Sequence, residues 1–546
     1  MGTEKTIKNS QYVQLFDTTL RDGAQGEYIH YSLQDKLDIA EALDDFGIDY
    51  IEGGWPGSNP KDMAFFKQCA KKKFKNAKIT AFGSTRRKNM TPESDATIQA
   101  LIKAETPVVS LFGKAWKLHI KNALHVETQE HLAMVYESVE YLCSHGKDVV
   151  FDAEHFFDGY RHDPGFAVAT LKAAIQGGAG VIVLCDTNGG TLPWDVYDIT
   201  KEIVSVLPVP IGVHAHNDSG CGVASTLAAV HAGAVHVQGT INGFGERCGN
   251  ADLISIIPAL ELKMQKQTGA GNRLSNLTYL SRYVSEISNT VPRNESPYAG
   301  YSAFAHKGGV HVSAVMRDPH TYEHVDPDIV GNRRRVLVSD LAGRSNVRYK
   351  ISELGLKGID DTDIADIVAR IKRLENLGYS FEGANASFEL LVRNNADEPV
   401  KYFNLSGFRQ FTEKNSRGKV WNEASIRVCV DDIMEHTAAT GNVPVNALDN
   451  ALKKALARFY PEVEDINLID YKVRVLNDGE NRGTASKVRV LIENQSHEQT
   501  WTTVGVSENI IEASWIALVD SYNYFLFKIT GNTMEEATYE TQHSNI

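Results

Sequence analysis

Residues 13–25 read VQLFDTTLRDGAQ, a short apolar run that ends in the polar pair Arg21-Asp22. Seven further apolar runs follow before residue 265, each followed by a stretch of helical periodicity such as LQDKLDIAEALDDF at 33–46. Eight strand–helix units within about 250 residues are typical of a closed (β/α)8 barrel. A doubly wound sheet usually has fewer parallel strands and a glycine-rich first turn, which is missing here. The sequence therefore predicts an α/β chain with a TIM barrel in its first half.

The composition indicates a soluble protein of several domains, because 546 residues exceed what one hydrophobic core supports. No apolar run approaches the roughly 20 residues that span a bilayer, and the net charge of −13 argues against a nucleic-acid partner. Six scattered cysteines without CxxC spacing, and an N-terminus without an apolar leader, predict a cytoplasmic protein with reduced thiols. We therefore expect neither a membrane nor nucleic acid among its partners.

The patterns divide the chain into four predicted segments. Residues 10–275 form the TIM-barrel catalytic domain, and residues 276–395 form mixed α/β linker subdomains that contribute to the site. Residues 396–531 form a C-terminal α+β regulatory domain, and the polar residues 532–546 form a disordered tail.

The segment 396–531 contains a weak internal duplication. SIRVCVDD followed by TAATGNVPVNALDNALKKALARF resembles SKVRVLIEN followed by TWTTVGVSENIIEASWIALVDSY. Each half reads as a strand, a glycine-containing loop and a helix that opens near Asn446 or Asn509. Such a pseudo-repeat suits a small-molecule sensor built across its own symmetry axis, and a dimerisation module without a ligand fits the pattern equally well.

Polar residues collect where the predicted barrel strands end, and TIM-barrel enzymes act at the carboxyl ends of their strands. Random placement would scatter such residues along both ends of the strands, so the clustering indicates an enzyme. The residues are Arg21, Asp22, Glu52, Lys114, Glu154, Asp186, Thr187, His214 and His216, joined after the eighth run by Glu246, Arg247 and Asn250.

The stretch HAHND at 214–218 ends an apolar run in two histidines that point to the same side, because side chains alternate along a strand. An HxH pair alone is a weak signal of a metal site. The signal strengthens because Asp22 ends the first strand, which lies close to strands seven and eight in a closed barrel. Two imidazoles and a carboxylate suit Zn2+, Mn2+, Co2+ or Mg2+, and the sequence does not choose among them.

Other candidate residues have both a structural and a catalytic interpretation. Arg21 either forms an ion pair with Asp22 or points into the site, where it would stabilise an oxyanion or bind a carboxylate. Glu154 follows an apolar run, which favours a role in the site. Thr187 either offers its hydroxyl to a carboxylate or belongs to a turn. Asp17 is interpreted as support for the neighbouring motif.

Three separated motifs resemble those of a known family: DTTLRDG at 17–23, HAHND at 214–218 and GTINGFGERCGN at 239–250. They are similar to the signatures of the acyl-CoA-condensing metalloenzymes, which include 2-isopropylmalate, homocitrate and citramalate synthases. The resemblance extends over almost the whole chain, and 396–531 resembles the regulatory domain of the 2-isopropylmalate synthases. The stretches LFGKAWKLH, DAEHFFDGY, AFAHKGGVHVSAV and TYEHVDPDIVGN look most like the bacterial citramalate branch.

The resemblance implies a divalent metal cation as cofactor. Asp22, His214 and His216 would be its ligands, with Asn250 as a nearby fourth. Arg21 would be the catalytic cation that polarises a keto oxygen of the substrate.

The resemblance also implies roles for residues farther along the chain. Glu154 would hold an acetyl group or a water, and Thr187 would bind the carboxylate of a 2-oxoacid. His311 and Tyr322 would reach the site from the partner subunit of a homodimer. Related sequences often have an acidic residue where this chain has Ser313. The identity of the general base is therefore left open.

The implied reaction is a Claisen condensation of acetyl-CoA with a 2-oxoacid, followed by thioester hydrolysis. Pyruvate is favoured on overall resemblance and would give citramalate, on the route to isoleucine, whereas 2-oxoisovalerate would give isopropylmalate, on the route to leucine. The duplicated domain implies allosteric feedback, with isoleucine as the expected amino-acid effector. One rival is a retro-aldol lyase on the same barrel, which rarely needs such a domain. The other is a non-catalytic sensor, which would not need the intact metal-ligand set.

Overall fold

The structure is a computed structural model that describes residues 11–339, 342–356, 358–395, 400–476, 486–497 and 499–543, with side chains up to residue 530. They form two compact units: the first holds the described residues up to Phe304 and Val325–Arg334, and the second holds Ala305–His324 and those from Arg335 onward. The domain boundaries stay predictions. The predicted tail, 532–546, has no described side chains, and its last three residues lie outside the described part of the chain.

The first unit is built on a closed barrel of eight parallel strands that follow one another in chain order. The first strand closes the ring by pairing with both the second and the eighth. The predicted TIM barrel is therefore confirmed. Its strands are β1 Gln14–Asp17, β2 Tyr50–Gly54, β3 Lys78–Ser84, β4 Val108–Lys114, β5 Asp148–Glu154, β6 Val181–Asp186, β7 Ile211–Ala215 and β8 His236–Gly239.

Helices between the strands cover the outside of the barrel. None of the described helices has both the length and the hydropathy of a membrane span. The helices of the first unit are α1 Leu33–Phe46, α2 Pro60–Cys69, α3 Ala96–Lys103, α4 Lys117–His119, α5 Thr128–Ser144, α6 Phe156–His162, α7 Pro164–Gly177, α8 Pro193–Val206, α9 Gly222–His231, α10 Leu253–Leu262 and α11 Leu277–Ile287.

The ends of α1 show how local sequence sets these helices. The Ser32 side chain accepts a hydrogen bond from the Asp35 backbone N–H, and Asp35 accepts one from the Ser32 backbone in return. Such a cap is worth about 1 kcal/mol. The helix stops at Gly47, whose φ of 100° favours glycine and where a Cβ would lie 2.2 Å from the Gly269 carbonyl oxygen. A Gly47→Ala change would therefore both strain this turn and collide with its neighbour.

The inside of the barrel has an apolar layer and a polar layer. Phe16, Val108, Val150, Val183 and Cys185 form one buried cluster contributed by four different strands. Side chains alternate along a strand, so the next inward positions on β4 and β5 belong to the same inner face, closer to the carboxyl ends. Polar residues occupy those positions. This polar layer positions the candidate site.

The second unit begins with short elements around residues 305–395. They comprise β9 Ala305–His306 and β10 Arg335–Val336, which pair in parallel, and the helices α12 Gly309–Val315, α13 Arg344–Glu353, α14 Asp361–Asn376 and α15 Asn385–Arg393. The His306 imidazole lies 3.0 Å from the carboxylate of the buried Glu323, which ties β9 to the following loop.

The rest of the second unit confirms the predicted pseudo-repeat, but the glycine-containing segments predicted as loops form the third strand of each half, with Gly441 at the end of one and Gly505 within the other. Two antiparallel three-stranded sheets are each followed by a helix. Equivalent hydrogen bonds join sheet to helix in both halves: Thr437 Oγ1 donates to Ala451 O at 3.0 Å, and Thr503 Oγ1 donates to Ala517 O at 2.7 Å. The elements are β11 Asn404–Lys414, β12 Val420–Val430, β13 Ile433–Gly441 and α16 Pro444–Leu456, then β14 Asn467–Leu476, β15 Lys487–Ser496, β16 Gln499–Ser507 and α17 Ile510–His543.

Candidate metal centre and active site

Asp22, His214 and His216 lie together at the carboxyl-end mouth of the barrel. His214 is in β7 and His216 directly follows it, so both imidazoles face inward, while Asp22 follows β1. One ligand atom from each residue lies within 4.8 Å of the other two. Nε2 of His214 is 3.4 Å and Nε2 of His216 is 3.9 Å from Oδ2 of Asp22. Two buried imidazoles and a carboxylate around one point are a ligand set for a divalent cation.

Asn250 adds an oxygen atom that fits the same cation. A β-bridge between His216 and Asn250 sets the two residues side by side. The Asn250 Nδ2 donates to the Phe244 carbonyl at 3.0 Å, while its buried Oδ1 has no hydrogen-bond partner among the described residues. At Gly245 a Cβ would lie 2.2 Å from Asn250 Nδ2, so the turn needs glycine to leave the amide its place. A buried carbonyl oxygen without a donor suits a metal ion.

The electrostatics of the triad favour an ionised Asp22 and a neutral His216. Burial alone would raise the pKa of Asp22, but Arg21 and the two histidines hold it below its usual range. Burial, together with the adjacent His214, lowers the pKa of His216 to about 4. Burial would also lower the pKa of His214, but contact with Asp22 raises it, so a proton and a cation compete for this imidazole.

Arg21 is ion-paired and also lines the cavity at the barrel mouth. Its Nε donates to Oε2 of Glu52 at 2.6 Å, and its Nη1 lies 3.2 Å from Oδ2 of Asp22. The guanidinium carbon lies 3.8 Å from the centroid of the Phe82 ring. Burial alone would lower the pKa of Arg21, but the two carboxylates raise it above its ordinary value. The result is a permanent cation held rigidly beside the metal ligands.

A cavity of about 220 Å³ opens at this mouth and brings most of the predicted site residues together. Three aromatic rings form part of its wall, with Phe82 and Phe112 stacked at 5.2 Å and Trp55 edge-on to both. The lining residues are Arg21, Asp22, Gln25, Trp55, Phe82, Phe112, Asp152, Glu154, Cys185, Thr187, His214, His216, Glu246 and Arg247. The sequence did not reveal the aromatic wall, because its members come from three separate runs.

Glu154 and Thr187 lie on this cavity with partners of their own. Glu154 ends β5 and forms an ion pair with Lys114 at the end of β4, with 2.5 Å between Nζ and Oε2. The Thr187 Oγ1 accepts a hydrogen bond from the backbone N–H of His155 at 2.9 Å. Its hydroxyl proton remains able to donate toward the cavity.

His311 and Tyr322 belong to the second compact unit, not to the unit of the barrel. Their rings stack with centroids 4.2 Å apart, and Tyr322 is 47% exposed. His311 lies on α12, as does Ser313, the position where related sequences often have an acidic residue. The roles expected for His311 and Tyr322 stay predictions.

Two kinds of supporting residue lie around the mouth. Asp17, expected to be support, accepts hydrogen bonds from the Thr19 backbone N–H and hydroxyl at 2.9 and 2.8 Å. Sequence reasoning missed Gln238, which contacts His214, and Asp152, which contacts Gln238. The available signal was a polar residue inside each of the apolar runs DVVFDAE and HVQG.

Known sequence families match all parts of this arrangement. The profile of the HMGL-like family matches residues 12–284, which include the barrel. The homocitrate synthase post-HMGL domain-like profile matches residues 299–378, and the LeuA allosteric (dimerisation) domain matches residues 382–526.

Individual solved structures and curated proteins give a finer comparison than the family profiles. Among solved structures, the hydroxymethylglutaryl-CoA lyase of Pseudomonas aeruginosa is 18% identical with a TM-score of 0.45, covering 52% of this chain and 95% of that one. The curated (R)-citramalate synthase of Geobacter sulfurreducens is 54% identical, covering 94% of this chain and 98% of that protein. That of Aquifex aeolicus is 53% identical, covering 95% of this chain and 98% of that protein. The chain therefore belongs to the HMGL-like family, in the group formed by the (R)-citramalate synthases.

Proposed function

We propose that this protein condenses acetyl-CoA with pyruvate and, with one water, releases (R)-citramalate and CoA. The observation that carries the proposal is the triad of Asp22, His214 and His216 beside Arg21, in a chain 54% identical to a curated (R)-citramalate synthase. The product would enter the isoleucine branch of branched-chain amino acid biosynthesis.

The ligand set for the divalent cation is Asp22, His214, His216 and the Asn250 carbonyl oxygen. A bound cation supplies Lewis acidity toward the oxygens of the 2-oxoacid and orients them. Mg2+, Mn2+, Co2+ and Zn2+ all accept such mixed oxygen and nitrogen ligands.

Residues of the cavity wall complete the 2-oxoacid site. Arg21, kept charged by its neighbours, stabilises the negative charge that develops on the keto oxygen as the new carbon–carbon bond forms. The hydroxyl of Thr187 donates to the carboxylate. A small cavity beside an aromatic wall favours pyruvate over a branched 2-oxoacid, a choice worth about 1–3 kcal/mol.

The acetyl-CoA side of the reaction needs a base, an anchor and room for CoA. Glu154, held by Lys114, is proposed to hold the acetyl group or the hydrolytic water. His311 and Tyr322 of the partner subunit are proposed to complete the site, with His311 a candidate to remove the methyl proton. A second cavity of about 550 Å³ shares Arg247 with the first and contains Arg282 and Arg293, cations suited to the CoA phosphates.

Release of CoA thiol tests this function directly. Purified protein is supplied with acetyl-CoA, Mn2+ or Mg2+, and one of pyruvate, 2-oxobutyrate or 2-oxoisovalerate. We expect metal-dependent release that is fastest with pyruvate. Preference for 2-oxoisovalerate would favour the 2-isopropylmalate alternative, and no oxoacid-dependent release would refute synthesis altogether.

Self-association through the C-terminal domain is the second part of the proposal. The sheet face opposite α16 exposes Phe411, Trp421 and Met434, and residues 382–526 match the LeuA allosteric (dimerisation) domain. Apolar side chains on an unpaired face favour a second copy as partner. Sedimentation should show a homodimer, and Phe411→Glu should shift it toward monomer. A wild-type monomer would contradict the proposal.

Feedback regulation and location complete the proposed function. We infer isoleucine as the effector of the duplicated domain, because it is the end product expected of this reaction. Isoleucine should raise the thermal midpoint and slow CoA release, with leucine and valine as controls, and absence of both effects would exclude it. All six cysteines are unpaired, which supports a reducing cytoplasmic location.

A further inference from the structure

A chain of four buried polar side chains crosses the barrel interior and ends at the metal-ligand set. Nδ1 of His214 lies 2.9 Å from Oε1 of Gln238, whose Nε2 donates to Oδ1 of Asp152 at 2.9 Å. Ser110 Oγ donates to the other oxygen of Asp152 at 2.6 Å. The four residues come from β7, β8, β5 and β4, so only the closed barrel brings them together.

The direction of each hydrogen bond follows from the chemistry of the groups. A carboxylate only accepts, so the NH2 end of Gln238 faces Asp152 and its carbonyl end faces His214. Turning the amide over would set a carbonyl oxygen against a carboxylate oxygen. The carbonyl of Gln238 can only accept, so Nδ1 of His214 must carry the proton. Nε2 then faces Asp22, 3.4 Å away, and is the nitrogen at which a proton or a cation binds.

We propose that Gln238, oriented by Asp152, is a positioning residue that fixes His214 in the Nδ1–H tautomer and keeps Nε2 for the metal. The inference rests on the metal centre of the proposed function and deepens it. Gln238 does not line the cavity of the barrel mouth, so it acts only through the residues it contacts, His214 and Asp152. Hydrogen-bond partners of metal-bound histidines commonly orient the ring and raise metal affinity in this way.

A matched pair at the other end of the barrel distinguishes positioning from simple filling of the interior. There Oε1 of Gln14 lies 3.3 Å from Nδ1 of His236. Nε2 of Gln14 lies 3.3 Å from the hydroxyl of Tyr50, a group that can donate or accept. In the part of the chain that the structure describes, no carboxylate hydrogen-bonds to this amide, and no metal-ligand set lies beside His236. Gln14→Met therefore removes the same chemical group from the same barrel as Gln238→Met.

Mn2+ binding tests the proposal without relying on turnover. The full-length wild type, Gln238→Met and Gln14→Met are stripped with chelator and titrated with Mn2+, with unbound Mn2+ followed by electron paramagnetic resonance. Gln238→Met should raise the Kd for Mn2+ by about 10- to 100-fold, while Gln14→Met leaves it unchanged. The thermal midpoint of both variants in chelator measures any general loss of stability.

The other possible outcomes would refute either the positioning role of Gln238 or the metal centre itself. A wild-type Kd for Gln238→Met, or an equal rise for Gln14→Met, would refute the positioning role and leave the proposed function standing. A wild type that binds no Mn2+ would refute the metal centre and this inference with it. If Gln238→Met does not fold, 15N-histidine NMR of the wild type decides at a pH high enough for His214 to be neutral, with the His214 signal identified by its loss in His214→Asn. An Nδ1–H tautomer supports the proposal and an Nε2–H tautomer overturns it.

Discussion

The two ends of the barrel each contain a glutamine–histidine pair with a buried histidine, and only one end has the chemistry of a site. At the mouth, Gln238 and His214 lie among the charges of Arg21 and Asp22 and border an open cavity. At the floor, His236 packs between the rings of Phe16 and Tyr50, with centroids 5.3 and 5.6 Å away. A buried histidine is therefore not a functional signal by itself. Neighbouring charge and access to solvent make the difference.

The largest expected difference between the two ends comes from removing a metal ligand. His216→Ala should lower metal-dependent CoA release by about a thousandfold or more, since a bound metal contributes several kcal/mol to such a reaction. Turnover is measured by thiol release with Mn2+, and folding by circular dichroism. His236→Asn, at the floor, is the control and should keep its activity. Wild-type turnover in His216→Ala would remove the triad from the mechanism.

A smaller effect is expected for the cation of the mouth. Arg21→Gln should lower kcat by about 10²- to 10³-fold, because a fixed charge beside the developing oxyanion is lost. Arg21→Lys keeps the charge but loses the planar fork that pairs with Glu52, so its kcat should lie between the two. Both variants are assayed at saturating pyruvate. An Arg21→Gln enzyme with normal kcat and raised KM would limit Arg21 to ground-state binding.

The smallest effect is expected for His236, at the end of the barrel opposite the mouth, and it changes only the free energy of unfolding. Burial lowers the pKa of His236 to about 3, whereas a histidine in the unfolded chain has its ordinary pKa of 6.5. The unfolded state therefore takes up the proton first, and the wild type loses stability as pH falls below about 6.5. The His236→Asn variant has no imidazole at this position, so it should not show this loss of stability at low pH.

Urea unfolding of the wild type and His236→Asn at pH 7.5 and 5 measures that difference. The gap in unfolding free energy between the two proteins should shift by about 2 kcal/mol in favour of the variant at pH 5. Activity at pH 7.5 should be equal. A gap that does not change with pH would mean that His236 titrates normally in the fold.

The barrel and the clustering of Asp22, His214 and His216 could be predicted because both depend largely on short-range sequence patterns. Strand–helix alternation gives the fold, and the two-residue spacing of His214 and His216 gives a shared direction. Placing Asp22 beside the two histidines required one further inference, that the first strand of a closed barrel is adjacent to the last. Gln238 and Asp152 could not be paired from sequence, because their contact depends on how β5 and β8 face each other across the interior.

The C-terminal domain shows a similar division. The pseudo-repeat was visible in the sequence, and its helices begin at Pro444 and Ile510, close to the predicted Asn446 and Asn509. Which face of each sheet stays exposed could not be seen, because the packing of α16 against β12 decides it.

Arg247 borders both cavities of the barrel mouth. Its guanidinium donates to both carboxylate oxygens of Asp218, at 2.7 and 3.0 Å, and to the Thr187 carbonyl at 2.8 Å. A ligand that draws this guanidinium toward one chamber must loosen those bonds and so alters the wall of the other. If a ligand in one chamber moves this guanidinium, the affinities of the two chambers are coupled, and the coupling free energy is the same in both directions.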